Sequence, residues 1–461
     1  MSAVQRNTHS VGGRPVSSAP TEEQVAPGSH RSARPLHDAE VDGASGATPS
    51  SRSGRRHGGN KWLGPSALAL LVSAGGLKAT PLLSWLPGDL TVLATAVVAV
   101  SVIDARLRGG PAPRTVAYPW LVFLLVLSPA ALIAPLHTTY ATIKVVTLFS
   151  ASLVLALAPS YLLRTDKQRT VFIGALTVLA AAAGAFVAIF PTSVSNSPGR
   201  ITLEGSNTIA TARVLLAGAL VLLVVATGRA AKVWHRLVLA AAGISLTGIA
   251  VLTGSRGPAL ALLVTLCVVT VSAPFYRAYR AQAVGTLLTL GVVGAWYLSR
   301  SAQSAGLQRI LSAFTGDQGS QPDARLQVWA EALDMIQAHP FGTGWGSYDN
   351  GVNLRYPHNL FLEVGVEAGI VCLSVVIALI IATLVRSTRL ATDWRGTALQ
   401  GLLCFSLINA MVSSDINGNR LLIAVLFAIW AFPHSSASKP RNKLPRAGAT
   451  PVSHVIADRA S

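Results

Sequence analysis

Charge is what this chain has least of. Of its 461 residues 12% are charged and 51% are hydrophobic, against roughly 25% charged in an average soluble chain. A water-soluble multidomain protein is thereby excluded. Cysteine is almost missing too: Cys267, Cys372 and Cys404 all lie in apolar runs, with no CxxC pair and no Cys/His cluster. A disulfide scaffold, a thiol redox site and a structural zinc site are excluded with it. Acidic residues are scarce, 19 against 37 basic ones, leaving a net charge of +18. The basic residues fall in short clusters between apolar runs, which is the pattern of cytoplasmic loops in a membrane protein, so no nucleic-acid partner is expected.

Residues 1–60 are rich in Ser, Gly, Pro, Ala, Arg and His and have no apolar run. Such a segment cannot bury enough surface to offset its ordering entropy, and it lacks the apolar stretch of a signal peptide. Residues 435–461 read the same way. Both are expected to be disordered cytoplasmic tails, flanking a transmembrane domain at 61–434.

That domain holds about twelve apolar segments, each roughly long enough for a ~30 Å hydrocarbon core. They run approximately over 63–77, 82–103, 117–136, 141–163, 170–191, 208–228, 236–253, 257–275, 283–299, 358–385, 396–414 and 418–434. With the N-terminal tail in the cytoplasm, the basic clusters at 106–114, 164–169, 229–236, 277–280 and 386–395 and the C-terminal tail share its side. The outer loops keep only Lys78, Arg200, Arg256, Arg300, Arg309, Arg325, Arg355 and Arg420, and Lys144 and Arg213 fall inside spans. An odd number of spans destroys this alternation. The expected fold is therefore an all-α polytopic membrane protein with about twelve transmembrane helices and one large extracytoplasmic loop, residues 300–357.

A loop of that length in a compact membrane protein is usually functional. It contains a helix signature: Asp323 is a good N-cap, and Leu326, Trp329, Leu333 and Ile336 recur at helical spacing as one apolar stripe. Core packing is the expected role of Leu333 and Ile336. After His339-Pro340 comes Phe341-Gly342-Thr343-Gly344-Trp345-Gly346. No strand precedes these glycines, so a dinucleotide-binding turn is rejected.

His358 follows Pro357 at the start of the tenth span. The positive end of a helix disfavours an imidazolium, which leaves the ring able to accept a proton; a plain helix-end anchor is the alternative role. Glu363 and Glu367 lie one turn apart in the same span. They serve either function or helix packing, and Gly365-x-x-x-Gly369 favours close packing there. Among the outer arginines, Arg256, Arg325 and Arg200 stand out. Each alone could anchor a lipid headgroup, but guanidinium groups also bind phosphate oxygens bidentately and keep their charge. Three of them beside a neutral histidine would make a diphosphate pocket.

These residues resemble the O-antigen ligase and O-antigen polymerase family. The matching pieces are Ser255-Arg256-Gly257, then Arg325-x-x-x-Trp329 leading to His339-Pro340-Phe341-Gly342-x-Gly344-x-Gly346, then His358-Asn359-x-Phe361-Leu362-Glu363. Each piece is weak alone. In this order around the large loop they cover about residues 200–370. The resemblance implies a metal-independent glycosyltransferase of the cytoplasmic membrane, needing no cofactor. Its donor would be a glycan on undecaprenyl diphosphate. Its acceptor would be a glycan, a lipid, a wall polymer or a protein, with membrane lipids as the other partners. His358 then looks catalytic, Arg256 and Arg325 look like diphosphate ligands, Arg200 matches them less closely, and Asn359, Glu363 and Trp329 look supporting. No Asp-x-Asp motif on the outer side offers a metal site, so the arginines would take the metal's place.

The alternative is a transporter or flippase of lipid-linked saccharides, which would carry charges at the midplane and broken helices. Topology is directly testable. In a cysteine-free background, Ser320→Cys should label with an impermeant thiol reagent on intact cells, and Ser435→Cys only after lysis. Equal labelling of both would rule out the twelve-span arrangement.

Overall fold

A computed structural model describes residues 62–77, 89–108, 122, 126–194, 197–203, 206–228, 232–277, 280–281, 284–285, 322–349 and 356–432. For residues 194, 197–200 and 322–325 it describes the backbone alone. The expectations for both tails, for most of the span at 283–299, for part of the span at 117–136 and for residues 300–321 and 350–355 of the large loop lie outside these residues. All described residues belong to one compact unit, Gly58–Ser461.

The described residues form helices α1 (Leu63–Leu77), α2 (Leu90–Leu107), α3 (Thr139–Leu162), α4 (Asp166–Ile189), α5 (Thr208–Ala226), α6 (Val233–Leu252), α7 (Arg256–Ser272), α8 (Pro322–Ala338), α9 (Leu360–Leu390), α10 (Trp394–Val412) and α11 (Arg420–Trp430). Polar caps set where many begin. Asp89, Thr138, Asn207, Asn359 and Asp393 each accept a backbone N–H of the first turn, and Thr165 and Gln168 make a capping box. The helical content agrees with the sequence reading, with one amendment. A short antiparallel hairpin, β1 (Thr192–Val194) with β2 (Ser197–Thr202), joins α4 to α5. The residues between two long apolar runs were too few to show its alternation.

Six helices, α2 to α6 and α9, are long and apolar enough to cross a membrane, and α1, α7 and α11 are shorter apolar helices. Helix α5 is enclosed by its neighbours, with Leu215 to Val224 buried all round, and it packs against α1, α4, α6, α7 and α10. The periphery is apolar as well: Val92, Val97, Val100 and Ile103 of α2 and Leu237 and Val238 of α6 are exposed. In water such faces would aggregate, whereas in lipid they are ordinary outer surface.

Two long helices are irregular, each where it meets another segment. Helix α3 contains a π-turn, Leu148–Ser152, a feature frequent at functional sites. Helix α9 breaks at Gly369, which has φ 82°. A straight helix would bond the N–H of Ile370 to the carbonyl of Val366. Instead the turn after α8 patches the break. Thr343 N–H donates to Val366 O (3.0 Å), Gly344 N–H to Glu367 O (2.8 Å), and Ile370 N–H to Pro340 O (2.8 Å). The broken ladder is thus satisfied by a strap, as buried backbone groups in a membrane protein must be.

The strap needs its glycines. Gly342 has φ +87°, and a Cβ there would sit 2.6 Å from Gly369 N and 2.7 Å from Glu367 O. Gly369 in turn lies against the backbone of Phe341. The close packing expected of Gly365 and Gly369 is thus against Ile336 of α8 and against the strap.

Helix α8 spans Pro322–Ala338, so the expected N-cap Asp323 lies inside its first turn, and its buried face is turned. Val328, Ala332, Met335 and Ile336 pack with Val366, Leu362 and Tyr348. Leu326 and Leu333 are 60% and 49% exposed, so the core role expected of Leu333 is corrected. The helix carries apolar residues on more than one face, and the position of α9 selects which is covered.

Gly342→Ala should lower stability by about 2 kcal/mol or more, from overpacking plus a left-handed backbone. Gly174→Ala, on α4 with no atom within 4 Å of its added Cβ, should be neutral or slightly stabilising. Thermal unfolding of the purified protein in detergent compares the two, and equal melting temperatures would show that the strap does not bind tightly.

Candidate functional site

Pro357 and Asn359 bracket His358 and fix it. Asn359 Oδ1 caps α9 by accepting the N–H groups of Phe361 (2.9 Å) and Leu362 (3.3 Å). The Pro357 carbonyl accepts the indole N–H of Trp329 from α8 at 3.1 Å. The Tyr356 ring packs on the imidazole, centroids 4.5 Å apart. Between these anchors His358 has φ 56°, a left-handed conformation that costs energy for a non-glycine residue. Ser414 (φ 74°) is the other such residue among those described.

Both strained residues line the same cavity, of about 370 Å³. It lies where the end of α1, the start of α5, the end of α10 and the start of α11 meet the turn before α9. Arg213, Arg420, Tyr356, Asn409 and Asn419 are also in its wall. Burial, with Asp415 and Glu363 nearby, pushes the Tyr356 phenol above its ordinary range, so that ring stays a hydrogen-bond donor at neutral pH.

The arginines singled out from the sequence lie elsewhere or beyond description. Arg256 is half-buried at the first position of α7 and is not in the cavity wall. Arg200 is on β2 and Arg325 in the first turn of α8, and their side chains are outside the described residues. Sequence reasoning passed over Arg213 and Arg420. The available signal was that an ionisable residue inside an apolar span is a candidate by default.

Beneath the histidine turn lies a buried ion cluster. Lys144 Nζ of α3 sits 2.5 Å from Glu363 Oε1 and 2.6 Å from Glu367 Oε2, all three side chains being fully enclosed. Gly346 N–H of the strap donates to the same Glu367 oxygen at 2.9 Å. The Trp345 indole lies 5.6 Å from the ammonium and donates to Leu127 O at 2.9 Å. The Lys144 carbonyl accepts Asn417 Nδ2 at 2.8 Å, and Asn417 also meets Ser152 of the π-turn. Lys144 therefore ties α3, α9, the strap and the turn before Arg420 together. The break in α9 is closed by the strap, and the Lys144 ammonium by Glu363 and Glu367.

Against known proteins, the family model described as O-antigen ligase matches residues 240–377. That segment, less than half of the chain, is what is similar to O-antigen ligase. No curated protein matches the chain. The six long apolar helices are those of a multi-pass membrane protein. The matched segment contains Arg256, Arg325, Trp329, His358, Asn359, Glu363 and Glu367. Lys144, Arg200, Arg213 and Arg420 lie outside it.

The ion cluster generates a sharp expectation. Lys144→Met leaves two buried carboxylates without a cation and should cost about 3–5 kcal/mol. Adding Glu363→Gln and Glu367→Gln removes those charges and should restore most of the loss. Thermal unfolding reads both variants; a triple variant no more stable than the single one would show that Lys144 acts through packing alone.

Proposed function

We propose that this protein transfers a glycan from undecaprenyl diphosphate to an acceptor hydroxyl on the outer face of the cytoplasmic membrane. The supporting observation is the position of His358. It falls within the segment similar to O-antigen ligase, and its strained backbone sits in the wall of an arginine-bearing cavity. The proposed topology has twelve spans, both termini in the cytoplasm, and residues 300–357 outside.

A saccharide hydroxyl is a poor nucleophile and needs a positioned base. In this reading His358 takes the hydroxyl proton as the acceptor oxygen attacks the anomeric carbon of the donor. The bond from that carbon to the phosphate oxygen breaks, and its electron pair leaves on the lipid diphosphate. Guanidinium groups stabilise the negative charge gathering there, without a metal, because they stay cationic and are fixed in advance. Arg256, Arg325 and Arg200 are the arginines that the family resemblance assigns to this task. Trp329 and Asn359 hold the histidine turn, and Glu363 supports it through Lys144. The same chemistry serves a polymerase or a ligase, which differ in the acceptor: a glycan, a lipid, a wall polymer or a protein.

His358→Gln keeps size and some hydrogen bonding but cannot take a proton, and should lose roughly 10²–10⁴-fold in transfer rate. Wild-type activity should fall as pH drops through the pKa of the ring, because only the neutral ring accepts a proton. The measurement is sugar transfer by purified protein in lipid, with donor binding read separately. Near wild-type transfer by the variant would reduce His358 to a helix-end anchor, and an equal loss of donor binding would make it a diphosphate ligand.

A further inference from the structure

A second concavity lies away from the histidine turn, as a groove of about 840 Å³ between α1, α2 and α4. Its walls are apolar, with Leu63 and Leu70 of α1, Leu90 and Val97 of α2 and Val178 of α4 among them. Val97 and Val178 are exposed, so the groove opens outward from the bundle. Gly174 leaves it hollow, since no atom lies within 4 Å of a Cβ added there. From Lys167 to Leu179 the groove follows α4 for roughly 18 Å, at a rise of about 1.5 Å per residue.

One end is not apolar. Lys167, in the first turn of α4, is in the wall, and its ammonium lies 4.8 Å from the centre of the Trp62 ring. Thr170, one turn further on, also lines the groove and accepts Arg395 Nε at 2.8 Å. The carboxylates on these elements are already engaged, Asp166 with Arg169 at 2.7 Å and Asp393 with Arg395 at 3.1 Å. Arg164 and Lys167 make no ion pair among the described residues. Arg164, Lys167, Arg169 and Arg395 therefore outnumber the two acids and leave this end positive. The dipole of α4 opposes a lysine in its first turn, so the helix itself supplies no reason for one there.

A basic rim flanked by an aromatic ring, above an apolar groove between spans, has the chemistry of an anionic lipid. We propose that the groove between α1, α2 and α4 binds one anionic glycerophospholipid, with its phosphate at Lys167 and an acyl chain along α4 over Gly174. A second copy of this chain fits less well. In a twofold pair within one membrane both grooves run the same way, which sets basic end against basic end. The phosphate held here is not that of a glycan donor reacting at His358. The basic rim is at the start of α1, whereas the His358 cavity takes Val72, Ser73, Gly75 and Gly76 at the end of that helix. The site stands apart from the transfer reading, and in the proposed topology it belongs to the cytoplasmic leaflet.

Full-length protein in detergent micelles is titrated with dioleoyl phosphatidylglycerol or dioleoyl phosphatidylcholine, which share their chains and differ in headgroup charge. Native mass spectrometry counts the first lipid bound. The wild-type protein should hold the anionic lipid more tightly. Lys167→Gln should cut that preference roughly fivefold, the worth of one lysine at an anionic membrane surface, and Lys167→Arg should retain it. Gly174→Leu fills the hollow and should displace both lipids alike. Leucine is also the better helix former, so the lipid-free variant should melt no lower than wild type, which separates a blocked groove from a damaged fold. Glycerol 3-phosphate, a headgroup without chains, should not compete. No preference in the wild type, an unchanged preference in Lys167→Gln, or full binding of the anionic lipid by Gly174→Leu overturns the proposal. Lys167 is exposed, so its glutamine variant decides the matter if Gly174→Leu does not fold. Competition by glycerol 3-phosphate as strong as by the lipid would make this a soluble-anion site. A wild-type dimer that Gly174→Leu turns into a monomer with lipid binding unchanged would make it an interface between copies. Either result also overturns the lipid assignment.

Discussion

One lysine buried between two glutamates organises the cavity end of this molecule. Lys144 is inside an apolar bundle, where an unpaired ammonium would cost several kcal/mol, so its partners are compulsory rather than optional. Those partners lie on the first two turns of the helix that His358 precedes. The same lysine offers its carbonyl to Asn417, which lies in the short turn leading to Arg420. Its charge and its backbone thus fix two walls of one cavity relative to each other.

Around this centre the irregular features take on a common role. The π-turn in α3, the break at Gly369, the glycine strap and the left-handed His358 are all departures from low-energy geometry. Each is repaid locally by hydrogen bonds or ionic contacts that a straight helix could not make. Trp329 reaches from the amphipathic helix to the carbonyl just before His358, and Asn359 completes the hold from the other side. The histidine is consequently held through the backbone on both flanks, which is how a strained conformation persists.

Much of this was legible in the sequence. The apolar runs, the presence of α8 and the place of His358 at the start of a helix follow from hydropathy and from local sequence pattern. What was not legible is instructive. Arg213 was read as a charge inside a span and Arg420 as a loop residue, because hydropathy carries no rotational phase and cannot say that two helix ends converge. The pairing of Lys144 with Glu363 and Glu367 links positions far apart in the chain, so no local pattern announces it. The stripe on α8 was turned the wrong way because Leu326 and Leu333 are as apolar as the residues that α9 covers. The glycines after Pro340 carried no reading beyond the rejected dinucleotide turn, because their use as a patch for a broken helix depends on Gly369.

The ion cluster also sets a limit on portability. The recognisable segment begins at residue 240, yet the cation that its two glutamates require is on α3. Grafted into another membrane scaffold, or produced as an isolated fragment, that segment would insert with two carboxylates and no counter-ion. The familiar part of the chain is therefore not a module: its inheritance is tied to a helix whose own residues carry no family signature, and recombination between the two would be selected against wherever the junction separates them.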